Sequence, residues 1–237
     1  MTVPTLNEAS PVGDWMADRP SRSRIFEVLG IDYCCGGRRT LGEACASLGL
    51  RVEPVLGMLR DAAPAPEDRD WRAAGLGELC RHIVDTHHAY LRTELPRIRS
   101  LVDKVLNAHG ARHPDLLLLS ETVRGLDAEL MEHLAKEERI LFPMIADIES
   151  ASSRPEFHCG TVANPIRVML AEHDRAGDAL AAVRRLTKGH TVPPDGCPTW
   201  RAMCDALAGL ESDLHTHIHK ENNILFPRVL EVEAGLD

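Results

Sequence analysis

A histidine and a glutamate four residues apart occur twice in the chain, each time shortly before the tetrad Ile-Leu-Phe-Pro. His133 and Glu137 form the first pair, and His217 and Glu221 form the second pair 84 positions later. Four residues along an α-helix place both side chains on one face, where an imidazole and a carboxylate can bind a metal ion. A single pair of this kind is usually a solvated surface contact, but a surface pair has no reason to recur with its apolar neighbours.

A further histidine precedes each pair at nearly the same distance. His88 lies 45 residues before His133, and His173 lies 44 residues before His217. Two helical hairpins of this kind supply four histidines and two glutamates, the ligand set of a dinuclear iron or manganese site inside a four-helix bundle. The alternative is an apolar core seam with hydrogen-bonded histidines. Helical periodicity does not choose between His88 and the adjacent His87.

Three other polar side chains lie close to these pairs in sequence. Glu129, one turn before the first pair, and Glu172, beside His173, are candidates for hydrogen bonds to the ligands or for proton delivery. Either could equally be a surface charge. His219 is turned about 160° from Glu221 around the helix axis, so we expect it to face solvent.

The second chemical motif is the vicinal pair Cys34 and Cys35, which Gly36 and Gly37 follow. Adjacent cysteines form a disulfide only through a strained ring, so a stable structural bridge is not expected. The glycines permit a turn that presents the sulfurs at the surface, where thiolates could accept iron, sulfide, an electron or a nitrosyl group. The alternative is that both are small buried apolar side chains.

The elements that must position these residues are helical. Apolar residues at three- and four-residue spacing predict four long helices over about 76–106, 115–148, 165–186 and 199–232. Pro96, Pro143 and Pro227 fall inside three of them and predict kinks or bends. Shorter helical patterns precede them at 23–29, 40–48 and 53–61, the second opened by a capping box of Thr40 and Glu43.

These patterns predict an all-α protein in three parts. Residues 1–62 form a small helical domain with the Cys-Cys-Gly-Gly motif, residues 63–74 a Pro- and charge-rich linker, and residues 75–237 a four-helix bundle. A core of about fifty residues is small. The N-terminal domain is therefore expected to depend on the bundle or on a partner, for which a homodimer is one arrangement.

Composition excludes several classes of protein. Among 237 residues, 44% are hydrophobic and 27% are charged, as in ordinary globular proteins. A net charge of −9 argues against a nucleic acid or an anionic membrane surface as partner. There is no apolar stretch long enough to span a membrane and no secretory signal. Seven irregularly spaced cysteines then indicate reduced thiols, and we expect a cytoplasmic protein.

Taken together, the motifs resemble the repair-of-iron-centres family, the di-iron iron–sulfur cluster repair proteins with a hemerythrin-like domain. The matching stretches are Asp32–Gly37, Lys136–Pro143, Glu172–Asp174, Pro193–Trp200 and Glu221–Pro227. The resemblance implies two non-haem, carboxylate-bridged iron ions. It implies as metal ligands, residue by residue, His88, His133, Glu137, His173, His217 and Glu221. It thereby favours His88 over His87.

The resemblance further implies the repair of iron–sulfur clusters damaged by oxidative or nitrosative stress. Partners would be the damaged iron–sulfur proteins, with nitric oxide or O₂ as a small ligand. The sequence does not separate iron donation from a nitric oxide reductase activity at the di-iron site. The alternative function is a hemerythrin-like carrier or sensor of O₂ or nitric oxide, against which Cys34 and Cys35 argue, because simple O₂ binding needs no thiols. An oxidase or ferroxidase would generally use more than two carboxylates.

Overall fold

The computed structural model describes residues 6–65 and 68–236, and over these residues the protein is helical without strands. The predicted all-α fold is confirmed. The shorter N-terminal helices are α1 (Val12–Asp18), α2 (Ser23–Leu29), α3 (Leu41–Ser47) and α4 (Val52–Asp61). The helices that follow are α5 (Leu76–Ile83), α6 (Ala89–His109), α7 (Asp115–Lys136), α8 (Phe142–Ser150), α9 (Ala163–Leu186), α10 (Pro198–Lys220) and α11 (Phe226–Ala234).

Three of the four long predicted helices are each divided by a π-helical turn. These turns are Val84–His88 between α5 and α6, Glu137–Leu141 between α7 and α8, and Glu221–Leu225 between α10 and α11. Pro143 and Pro227 stand second in the α-helices that follow two of them, a position where the missing N–H of proline costs little. π turns inside α-helices occur often at functional sites, and each of these turns contains a candidate ligand.

Capping residues mark where the N-terminal helices α2 and α3 end and begin. Thr40 and Glu43 form the predicted capping box, with both reciprocal hydrogen bonds present. Gly30, at the C-terminal end of α2, has a φ of 70°, the left-handed conformation that glycine adopts without strain. Helix α1 was not predicted as a separate element.

Packing groups the chain into two compact units. The first consists of Met1–Cys80, Ala146–Pro155 and His215–Asp237, and the second of Arg81–Ile145 and Glu156–Leu214. In the second unit, α7 packs against both α6 and α9, and Leu95, Ile98 and Val123 are among its buried side chains.

In the first unit, the N-terminal helices enclose a buried cluster that includes Trp15, Phe26 and Leu59. Helix α1 also contacts the π turn Glu221–Leu225. The predicted linker is hydrogen-bonded where it is described: the Asp68 carboxylate accepts hydrogen bonds from the amide and hydroxyl of Ser21, at 2.7 and 2.8 Å.

The guanidinium of Arg228 donates to the carbonyl of Trp71 at 3.1 Å, which fixes the chain just before α5. Residues 66 and 67 of the predicted linker lie outside the described residues. The domain boundaries at 62 and 75 stay a prediction. Among the described helices, none is both long and apolar enough to cross a bilayer.

Candidate metal centre

Four of the predicted ligands approach one another around the carboxylate of Glu137, which is completely buried. One carboxylate oxygen lies 3.2 Å from Nε2 of His88, and the other lies 3.3 Å from Nε2 of His133. The Nε2 atom of His173 is 3.1 Å from that of His133. Four potential ligands therefore converge in a part of the protein that excludes water.

Two further carboxylates orient the histidines from behind. Glu138 lies 2.7 Å from Nδ1 of His88, and Glu172 lies 2.9 Å from Nδ1 of His133. A carboxylate at Nδ1 makes that nitrogen the protonated one, so the lone pair of the neutral ring is on Nε2. Each Nε2 atom therefore presents a lone pair toward Glu137.

Charged neighbours keep these two orienting carboxylates ionised. Burial favours the protonated form of Glu172, but hydrogen bonds from Lys136 and His133 outweigh this effect and lower the pKa of the carboxyl. Burial acts in the same way on Glu138, where hydrogen bonds from His88 and Arg92 lower the pKa. Both side chains are thus anionic acceptors at neutral pH.

Lone pairs that face one another at this distance repel, and a proton or a metal ion between them removes the repulsion. If Nδ1 of His133 donates to Glu172, its Nε2 atom points a lone pair at both an anionic oxygen and another imidazole. Bonds of about 2.1 Å to one ion at right angles would place two ligand atoms about 3.0 Å apart. The observed separations of 3.1–3.3 Å fit that arrangement.

The second His-x-x-x-Glu pair has the same local geometry as the first. Nε2 of His217 lies 3.2 Å from a carboxylate oxygen of Glu221, and both side chains are buried. Within the second unit, His88, His133, Glu137 and His173 thus form one cluster of potential ligands. Within the first unit, His217 and Glu221 form a second buried pair.

Comparisons with known proteins agree with this geometry. Residues 80–229 match the hemerythrin HHE cation binding domain, and residues 8–63 match ScdA_N, a domain of unknown function (DUF542). The iron–sulfur cluster repair protein YtfE of Escherichia coli O157:H7 is 38% identical over 223 residues, which cover 94% of this chain and 97% of the relative. The protein of that name from Shigella boydii serotype 4 (strain Sb227) is 37% identical with the same coverage.

The chain belongs to this hemerythrin-domain family of iron–sulfur cluster repair proteins. The resemblance seen in the sequence motifs is therefore confirmed, and so is a hemerythrin-like helical bundle as the fold. The cation-binding domain and the buried histidine–glutamate cluster together indicate a metal site in this member of the family.

The adjacent histidines His87 and His88 have different surroundings. His88 faces Glu137, whereas Nδ1 of His87 lies 2.8 Å from the carboxylate of Asp213. Both rings are buried, which explains why the apolar period could not separate them. Of these two histidines, only His88 is among the possible metal ligands found in the described residues.

Of the two glutamates predicted to assist the ligands, only Glu172 is in a position to do so. Glu129 is a largely exposed side chain, with its carboxylate 3.9 Å from Arg175, which agrees with the alternative that it is a surface charge. The sequence analysis missed Glu138, which holds His88. Its position directly after the candidate ligand Glu137 was the available signal.

His219 is buried, so the expectation that it would face solvent was wrong. Its ring is buried, packs against Tyr33 with centroids 6.0 Å apart, and has Nδ1 at 3.3 Å from the Tyr33 carbonyl. The segment that precedes the cysteine pair therefore covers the face of α10 that was expected to meet water.

The cysteine pair lies on a turn, as predicted, but only in part at the surface. Cys34 is buried and Cys35 is half-buried, with the two sulfurs 3.9 Å apart and neither in a disulfide. A hydrogen bond with Cys35, together with burial, raises the pKa of the Cys34 thiol. Cys34 is thus held as a neutral thiol, and Cys35 is the more accessible sulfur of the pair.

Proposed function

We propose that this protein repairs iron–sulfur clusters damaged by oxidative or nitrosative stress, through two iron ions held in the buried histidine–glutamate cluster. The single observation that supports this most strongly is that both His-x-x-x-Glu pairs are buried, each with an imidazole Nε2 atom 3.2–3.3 Å from a carboxylate oxygen of Glu137 or Glu221. Two anionic side chains in a water-free interior would cost several kcal/mol without cations. Relatives that match almost the whole chain carry the name iron–sulfur cluster repair protein.

Each side chain has a distinct role in this proposal. Glu137 and Glu221 would bridge the ions. The four histidines, His88, His133, His173 and His217, would complete the coordination of the ions. Two imidazoles and two carboxylates per ion are ligands that suit iron.

The orienting carboxylates would keep the correct nitrogen directed at the ions. Glu138 and Glu172 hold Nδ1 of two imidazoles and take no part in binding. When bound, iron supplies electrons and a coordination position for nitric oxide or O₂, or is itself the cargo passed to a damaged cluster.

The thiols of Cys34 and Cys35 are proposed to act in transfer to the client protein and not as ligands of the buried ions. Neither belongs to the candidate metal groups found among the described residues. Soft sulfur atoms can pass iron, electrons or a nitrosyl group to a partner. None of the seven cysteines, which all lie among the described residues, is in a disulfide, and this supports the reducing cytoplasm as the place of action.

The test is the double variant Glu137→Ala/Glu221→Ala, with Glu129→Ala as the exposed control. The double variant should retain helical circular dichroism, lose most of its iron and fail to restore activity to a damaged iron–sulfur enzyme. The control should behave as wild type. Full iron occupancy in the double variant would overturn the site. Reversible O₂ binding by the iron-loaded protein, with no restored cluster, would favour the carrier or sensor function instead.

A further inference from the structure

The turn that carries the thiols is organised by one carboxylate. The side chain of Asp32 accepts hydrogen bonds from the amides of Cys34, Cys35 and Gly36 at 3.0, 3.0 and 2.9 Å. These three amides point inward to one side chain. The carbonyls of Tyr33 and Cys34 accept hydrogen bonds from another part of the fold.

Side chains beside Glu221 supply those donors. The amide nitrogen of Asn223 donates to the carbonyls of Tyr33 and Cys34, at 3.3 and 3.0 Å. The amide of Asn222 approaches the Cys34 carbonyl at 3.5 Å. Asn222 and Asn223 follow Glu221 directly in the π turn Glu221–Leu225, so one short segment carries both a candidate ligand and the contacts to the cysteine turn.

Two glycines give Asn223 the space it occupies. A Cβ atom added at Gly37 would lie 2.4 Å from Oδ1 of Asn223, and one added at Gly13 would lie 2.9 Å from the same atom. The first separation is far below any van der Waals contact. Gly37 is thus needed for close approach to Asn223, in addition to any freedom that it gives the turn.

We propose that Asn223 is a positioning residue that holds the Cys34–Cys35 turn on the π turn beginning at Glu221, so that the exposure of the two thiols depends on metal binding at Glu221. This inference rests on the metal site proposed above. An ion bound to Glu221 fixes the start of the π turn, and with it the direction in which the Asn223 amide points. Without the ion, this constraint on the turn is lost.

Such a coupling must act in both directions. If metal binding favours the docked cysteine turn, docking strengthens metal binding by the same factor. The protein would then keep its thiols covered while it holds metal and expose them when metal has left. Accessible thiols would mark the form that needs to be reloaded or that has delivered its iron.

The experiment measures the alkylation rate of each cysteine in the full-length protein by peptide mass spectrometry, with and without iron. Cys159, which is exposed, is the internal reference. In the iron-loaded protein, Asn223→Ala should raise the rates of Cys34 and Cys35 about tenfold, as expected for the loss of one or two hydrogen bonds. Removal of iron from the wild type with a chelator should raise the same two rates, and in Asn223→Ala this response should disappear.

Two glycine variants provide a matched pair that leaves every polar group in place. Gly37→Ala should act like Asn223→Ala, because its methyl group displaces the Asn223 side chain. Gly57→Ala should change nothing, since no atom lies within 4 Å of the added Cβ. If Cys34 and Cys35 were alkylated at the wild-type rates in both Asn223→Ala and Gly37→Ala, the positioning role would be overturned.

The dependence on metal is tested separately. If the alkylation rates of Cys34 and Cys35 in the wild type did not change when bound iron is removed, the coupling would be overturned. If the wild type bound no iron at all, the proposed metal site would fail and the coupling with it. The comparison of Asn223→Ala with wild type would still decide the positioning role.

Discussion

Replacement of Glu172 by glutamine tests whether the carboxylate behind His133 tunes the metal centre. The variant keeps the size of the side chain but removes the anion that lies 2.9 Å from Nδ1 of His133. The loss of such a partner typically weakens metal binding about 10–100-fold, which corresponds to about 1.4–2.7 kcal/mol. The ion pair of Glu172 with Lys136 adds little to this figure, since the Lys136 side chain is 40% exposed.

The assay is a competition for Fe²⁺ between the protein and a chelator of known affinity. Glu129→Gln is the control, because its side chain is 61% exposed and its carboxylate lies 3.9 Å from Arg175. The control should bind iron within about twofold of wild type. Glu138→Gln should lose affinity like Glu172→Gln, because Glu138 holds His88 at 2.7 Å. Wild-type affinity in Glu172→Gln, or an equal loss in the control, would refute the reasoning.

Three further predictions concern individual histidines and cysteines. His88→Ala should lose iron while His87→Ala keeps most of it, as judged by metal analysis; the opposite pattern would reverse the assignment. The double variant Cys34→Ser/Cys35→Ser should keep the iron absorption spectrum and lose part of the cluster-repair rate, and an unchanged rate would leave both residues a purely structural role. A hydrogen bond from a neighbouring imidazole lowers the pKa of Cys197 to about 7, so its alkylation rate should level off by about pH 8, where ordinary thiols still gain reactivity. A midpoint above about pH 8.5 would contradict this environment for Cys197.

Much of the fold follows from patterns within single helices. The apolar period located the long helices, and the Thr40–Glu43 capping box marked the start of α3. The recurrence of His133 and Glu137 at His217 and Glu221 identified the candidate ligands. These signals are local, since a helix places residues three and four apart on one face whatever surrounds it.

The three π turns are not visible in such patterns. A π turn inserts one residue into the helical repeat at a point that the periodicity of the flanking segments does not mark. The prolines at 143 and 227 suggested a disturbance at two of these positions, but not that each disturbance begins at a candidate ligand.

Only the tertiary structure decided which faces of the helices are covered. His219 was expected in solvent because it lies opposite Glu221 on the helix, yet Tyr33 covers it. A helix that is buried on two opposite faces has no single apolar stripe from which its exposure can be inferred. The hydrogen bonds of Glu138 to His88 and of Asn223 to Cys34 join residues 50 and 189 positions apart. Such contacts depend on how distant segments pack together, which the spacing of residues within one helix cannot determine.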